Sequence, residues 1–209
     1  MNGELPNEAF VTGAERRRFD VIAGHSAVLI EARSTVGPIT FGTTSVDGSV
    51  EVNMHDGSID LGGAGPTARL QIDLNTLSSG NALYDAELLQ RIDARRYPKT
   101  SVELSAMERI GRSGRFRVEG DLTFHGVTRR TSGSVGAEID QHGLLRVVGE
   151  HVFDIRDFDV VAPNVLMLRI YPDVRIELQL EARTAVRDEI NLPANGDLTA
   201  NSADRLGRR

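Results

Sequence analysis

At 209 residues, 40% of them hydrophobic and 26% charged, the chain has the make-up of one ordinary globular domain rather than of a disordered or membrane-spanning protein. With no cysteine, it has no disulfide framework, thiolate nucleophile, haem-attachment motif or cysteine-based zinc or iron–sulfur site. The formal charge of −6 argues against affinity built on phosphate contacts, so nucleic acid is not an expected partner. Only 5% of residues are aromatic and none is Trp, which points to an aliphatic core. The first twenty residues contain no apolar run of the kind a signal peptide needs, and the expected location is cytoplasmic.

Residues 1–15 read as a polar tail, 16–187 as one folded unit and 188–209 as a second, disordered tail. Between the tails, short runs alternate apolar and polar residues and are separated by Gly, Asp or Asn, the pattern of strands joined by turns. A first strand is predicted over Phe19 to Arg33, and Pro38 restricts Gly37 to Gly42 to a strand start or an edge. Val46, Asp47 and Gly48 read as a turn into Ser49 to Met54. Leu61 to Thr67 is a Gly-rich loop, followed by Ala68, Leu70, Ile72 and Leu74 at period two. One segment breaks the β pattern. From Asn81 to Asp93, Leu83, Leu88, Leu89 and Ile92 have helical spacing, Asn81 is available as an N-cap and Tyr97-Pro98 ends the run. Strands then resume around Val102 to Ala106, Phe116 to Phe124, Thr128 to Ile139, Leu144 to Ile155 and Leu166 to Arg183. Hairpin links throughout imply an antiparallel sheet, and closure into an up-and-down barrel of about eight strands removes the exposed edges of a long open sheet.

Motifs for chemistry fail simple tests. The sole lysine, Lys99, lies in Pro-Lys-Thr, which excludes a P-loop. Gly62, Gly63 and Gly65 are followed by Pro66 and a strand, not by the helix of a dinucleotide fingerprint. Ser26 lacks the second glycine of a nucleophile elbow. The histidines, His25, His55, His125, His142 and His151, have no close-spaced partner for a metal. Asp154, Asp157 and Asp159 lack the Gly and distal Glu of a calcium loop and read as turn carboxylates beside Arg156. What remains is a surplus of aliphatic strand faces. A small barrel with such faces is either packed solid or holds one apolar ligand, and composition leaves both open.

The order of three segments resembles the YceI-like family of lipocalin-like barrels that bind polyisoprenoid or other lipids. They are FDVIAGHSAVLIEARSTVG (Phe19 to Gly37), GNALYDAELLQRIDARRYP (Gly80 to Pro98) and GDLTFHGVTR (Gly120 to Arg129), with VFDIRDFDV and VRIELQLEA following where that family would place them. The resemblance implies an all-β fold: an eight-stranded antiparallel lipocalin-like β-barrel with one short α-helix insertion. It also implies an elongated apolar pore and no enzymatic activity, the protein binding or carrying an isoprenoid lipid such as a quinone or a polyprenyl phosphate. No metal and no cofactor beyond such a lipid is expected. Peripheral membrane contact and a homodimer are the expected further associations. Taking Leu122 and Phe124 as inward sets the strand parity. The expected pore lining is then Val28, Ile30, Phe41, Leu104, Phe116, Val118, Leu122, Phe124, Phe153, Leu166 and Met167, with His25 and His125 as head-group candidates. His125-Gly126 also reads as a turn-setting pair. Two alternatives stand beside this one: a stress-response or protein-interaction module with a filled barrel, and an enzyme acting on a bound lipid head group through His25 or His125.

Overall fold

The structure is a computed structural model describing residues 15–111, 114–162, 164–165 and 168–185, with only the backbone of 164, 165 and 168. Residues 1–14 and 188–209, expected as tails, lie outside the described residues, and Glu15 already belongs to the first strand. In chain order the elements are β1 (Glu15–Val21), β2 (Ala27–Ser34), β3 (Gly37–Thr43), β4 (Val46–His55), β5 (Ser58–Asp60), β6 (Thr67–Asp73), α1 (Ala82–Arg91), β7 (Lys99–Ile110), β8 (Arg115–Phe124), β9 (Val127–Ile139), β10 (Leu144–Asp154), β11 (Asn164–Val165) and β12 (Leu168–Thr184). Short 3-10 turns follow β6, at Leu74–Thr76, and β10, at Ile155–Phe158.

Hydrogen bonding runs β1-β4-β6-β7-β8-β9-β10-β12 and returns from β12 to β1, where Phe19 lies opposite Thr184. The result is a closed eight-stranded antiparallel barrel with α1 as the single α-helix among the described residues. Each strand of the ring thereby has a partner on both sides. The strand expected over Phe19 to Arg33 is broken at 22–26, and both halves pair with β12, Val21 opposite Ala182 and Ala27 opposite Gln179. Their partners divide in the same way, β4 against β1 and β3 against β2. The buried Ser26 hydroxyl accepts from the Glu181 amide at 3.1 Å, supplying a bond that the broken strand no longer makes.

Two further differences from the sequence-based expectation have physical causes. Val46, Asp47 and Gly48 do not turn; they open β4, with Val46 opposite Ile72. Asp-Gly reads as a turn pair, but Gly48 serves close strand approach, since a Cβ there would lie 2.0 Å from the Arg69 carbonyl oxygen. The true Asp-Gly hairpin is Asp56-Gly57, both at positive φ, which folds β5 back on β4.

Inward-facing residues form two ends of different character. At one, Phe19, Phe116, Leu145, Leu180 and Ala182 pack into a filled core. Arg109 covers that end, its guanidinium 4.9 Å above the Phe116 ring and donating to the Ile59 carbonyl of β5 at 2.8 Å. At the other end Phe41, Leu74, Leu77, Ile92 and Ala94 gather beneath α1, and Ile155, Val160 and Val174 pack beside the second 3-10 turn. Between these groups the barrel is not filled.

Candidate functional site

The segment between β6 and β7 builds the roof of the open end. The Asn81 side chain caps α1, accepting from the Leu83 and Tyr84 amides at 3.0 and 3.4 Å. Asp85 in the first turn accepts from the amide and hydroxyl of Ser79, each at 2.7 Å, and from the Ser78 hydroxyl at 2.8 Å. These bonds, the Ser79 hydroxyl first, hold the Asp85 carboxyl below its ordinary range. Ser78 in turn exchanges backbone bonds with Gly42 of β3, so the helix is moored to the barrel rim. Beyond the helix, Asp93 takes a left-handed φ of 45° and its carbonyl accepts from the Arg96 and Tyr97 amides, turning the chain towards Pro98 and β7.

Tyr84, Leu88 and Ile92, spaced i, i+4, i+8, face inward together with Glu87 and Arg91. Leu83, which the spacing also placed on the apolar face, is 74% exposed. Leu88, Leu89 and Ile92 of the expected stripe do pack on the inner side, and Tyr84 takes the place expected of Leu83.

Beneath the roof lies a cavity of about 230 Å³. Its wall shows the period of two strand by strand: Val28, Ile30 and Ala32 from β2, Ile39 and Phe41 from β3, Leu70 and Ile72 from β6, Leu122 and Phe124 from β8, and Val174, Ile176 and Leu178 from β12. Phe153, Val102, Ile170 and the turn residues Leu74, Leu77, Ile155 and Val160 complete the apolar surface. Polar residues are few. The Thr100 hydroxyl donates to the Thr123 carbonyl at 2.7 Å. Glu87 and Arg91 pair with each other across one helical turn at 2.7 Å, both partly exposed. Such a surface holds an aliphatic group, and its strand-built wall has nothing to satisfy a buried charge. Among the described residues, no group of three or more His, Asp or Glu is placed to hold a metal ion.

Of the residues expected to line a pore, Val28, Ile30, Phe41, Leu122, Phe124 and Phe153 do border this cavity. Phe116 lies instead in the filled end, because the barrel axis carries β8 from the packed core to the cavity over its ten residues. Leu104 and Val118 are half-buried and lie off the cavity; the extra residue at Ser105, where β7 shifts register against β8, lies next to Leu104. Leu166 and Met167 lie outside the described residues.

The two head-group candidates do not meet the cavity. His25, in the turn between β1 and β2, is 63% exposed at its side chain, with Nδ1 3.4 Å from Glu181 Oε2. His125 and Gly126 form the two-residue turn of the β8–β9 hairpin at φ values of 51° and 77°. The His125 Nδ1 lies 3.0 Å from the Phe158 carbonyl oxygen and the ring meets Tyr97 edge-on at 4.9 Å, so His125 ties this hairpin to the 3-10 turn after β10. The acidic group nearby is the expected turn structure, with Asp154 bonded to the Arg156 side chain at 2.9 Å and held below the ordinary carboxylate range by it.

The reading from sequence missed the contributions of β6, β12 and α1. Their period-two and helical patterns were visible, but nothing local says which level of the barrel a given inward residue occupies.

The fold and the family agree. The profile of the YceI-like domain matches residues 19–182. Among solved structures, BcnA from Burkholderia cenocepacia is similar with a TM-score of 0.65 at 19% identity, over 78% of this chain and 99% of that one. A polyisoprenoid binding domain from Saccharophagus degradans, implicated in plant cell wall breakdown, has a TM-score of 0.62 at 15% identity, over 80% of this chain and 98% of that one. At such identities the likeness speaks for the shared barrel alone. No curated protein sequence matches the chain. Since the profile runs from β1 through β12, the chain belongs to the YceI-like family.

Proposed function

We propose that this protein binds an isoprenoid lipid non-enzymatically, sequestering or carrying its tail inside the barrel beneath α1. The observation that carries this reading is the cavity, whose strand-built wall is aliphatic and aromatic apart from Thr100 and whose charged groups occur only on the roof helix. Each methylene transferred into it contributes roughly 0.8 kcal/mol before ordering costs. A branched hydrocarbon needs no polar partner from the wall, and the wall offers none beyond Thr100. The similar barrel from Saccharophagus degradans is a polyisoprenoid binding domain, which supports the same ligand class for this fold. Binding rather than catalysis is also supported by the two histidines, since His25 sits on the outer surface and His125 is committed to a turn. Extraction of gently purified protein with organic solvent, or native mass spectrometry, is expected to release one isoprenoid per chain. Repeated recovery of empty protein that also ignores added isoprenoid alcohols and quinones would overturn the proposal.

A further inference from the structure

An apolar wall leaves the ligand's polar end to be received at the rim. We infer that Arg91 receives it, as a hydrogen-bond donor to an uncharged oxygen, a hydroxyl or carbonyl, at the head of the lipid. This rests on the proposed lipid binding and adds to it a residue and a head-group class.

The side chains of α1 are out of balance. Arg91 borders the cavity and keeps 36% of its side chain exposed, so the residue spans from the apolar interior to solvent. Its Nη2 donates to Glu87 Oε1 at 2.7 Å, while its Nε is buried and has no hydrogen-bond partner. Among the described residues this is the single buried side-chain nitrogen or oxygen left unmet. Nε and Nη2 share an edge of the guanidinium, the edge that grips two oxygens side by side. Glu87 occupies half of that grip. A buried donor without an acceptor is costly, so an oxygen brought in on an apolar tail, met by a small turn of the guanidinium that bares Nε, would satisfy a donor that the free protein leaves unmet.

Glu87 also decides the charge of that oxygen. Its carboxylate already compensates Arg91 and itself borders the cavity. A phosphate would have to approach this carboxylate or displace it, whereas a hydroxyl or carbonyl completes the fork with no added charge. His25 and His125 do not compete for the role, since neither borders the cavity.

The test compares farnesol, farnesyl monophosphate and the parent hydrocarbon farnesane, each competing with the same fluorescent apolar probe, in the wild type, Arg91→Met and Arg91→Lys. Wild type is expected to favour farnesol over both other compounds. Both variants are expected to shrink the farnesol-to-farnesane affinity ratio by roughly tenfold. The lysine variant matters because it restores charge and the contact with Glu87, so a structural or purely ionic role for Arg91 would be rescued by it. In Glu87→Gln, farnesyl monophosphate is expected to gain on farnesol. An affinity ratio identical in all three proteins, rescue by lysine, or a wild-type preference for the phosphate would overturn the inference while leaving the lipid-binding barrel intact. If none of the three compounds displaces the probe, the functional reading itself fails, and the role of Arg91 with it.

Discussion

Phe116 and Phe124 stand on the same face of β8, eight residues apart, and meet opposite environments. Phe116 is 1% exposed in the packed end, so Phe116→Trp overfills it and should cost about 1–3 kcal/mol in urea unfolding. Phe124 borders empty space, so Phe124→Trp should leave stability nearly unchanged and reduce uptake of an isoprenoid in a binding titration. Gly126 is a different kind of residue. At φ 77° its place suits no L side chain, and a Cβ would come within 2.5 Å of the Tyr97 ring. Gly126→Ala is therefore expected to destabilise by about 1–3 kcal/mol, read as a lowered denaturation midpoint.

His151 carries a pH dependence. It bonds Thr131 Oγ1 through Nε2 at 2.7 Å, beyond the point where the β9–β10 ladder ends at Ser134 and Glu150. Burial holds its imidazole below the ordinary value, so the unfolded chain takes up the proton more readily than the folded one. Stability from this residue is present in full above about pH 6.5 and is lost as pH falls towards the lower folded value. Asp85, Asp140 and Asp154, all held low by hydrogen bonds, act in a separate window, with stability lost only as pH falls below the ordinary carboxylate range. Melting temperatures measured from neutral to mildly acidic pH should decline in wild type and flatten in His151→Gln, with the acid-most decline unaltered.

At the scale of the element, α1 is held by little burial of its own. None of its ten residues is fully buried, and its position depends on Ile92 just beyond it, the Asn81 cap and the Asp85 bonds to Ser78 and Ser79. Asn81→Ala removes the cap at a cost of about 1 kcal/mol to the helix. Because the strands keep their own ladders, amide exchange should rise over 83–91 while the barrel amides remain protected. If α1 is the door to the cavity, ligand release should also quicken in this variant; unchanged release would place the entry elsewhere on the rim.

For the molecule as a whole, filling the cavity should raise stability by mass action, because the unfolded chain has no cavity to offer. Ligand at about a hundred times its Kd adds about 2.7 kcal/mol. For a domain of this size each kcal/mol moves the melting temperature by about 2–4 °C, so a rise of several degrees with farnesol is the expected readout. A polar molecule of equal size should produce none.

Much of this architecture was legible in the amino-acid order. Alternation in β8, β9, β10 and β12 and the Asn81 cap are local signals, and local sterics and hydrogen bonding enforce them wherever the segment lies. Parity in β8 was legible too, once Leu122 and Phe124 were taken as inward. The break between β1 and β2 was not, because it is stabilised by Ser26 bonding to Glu181, 155 residues away. Nor was the division of the interior. Phe116 and Phe124 obey one alternation, yet closure of the sheet sets one among Phe19, Leu145 and Leu180 and the other at the cavity. The sequence by itself determined that inward faces exist and that they are aliphatic. Only the tertiary structure decided at which level they close into a solid core, at which they leave room, and that Arg91 stands at the edge of that room, since these depend on strand stagger and on contacts between segments far apart in the chain.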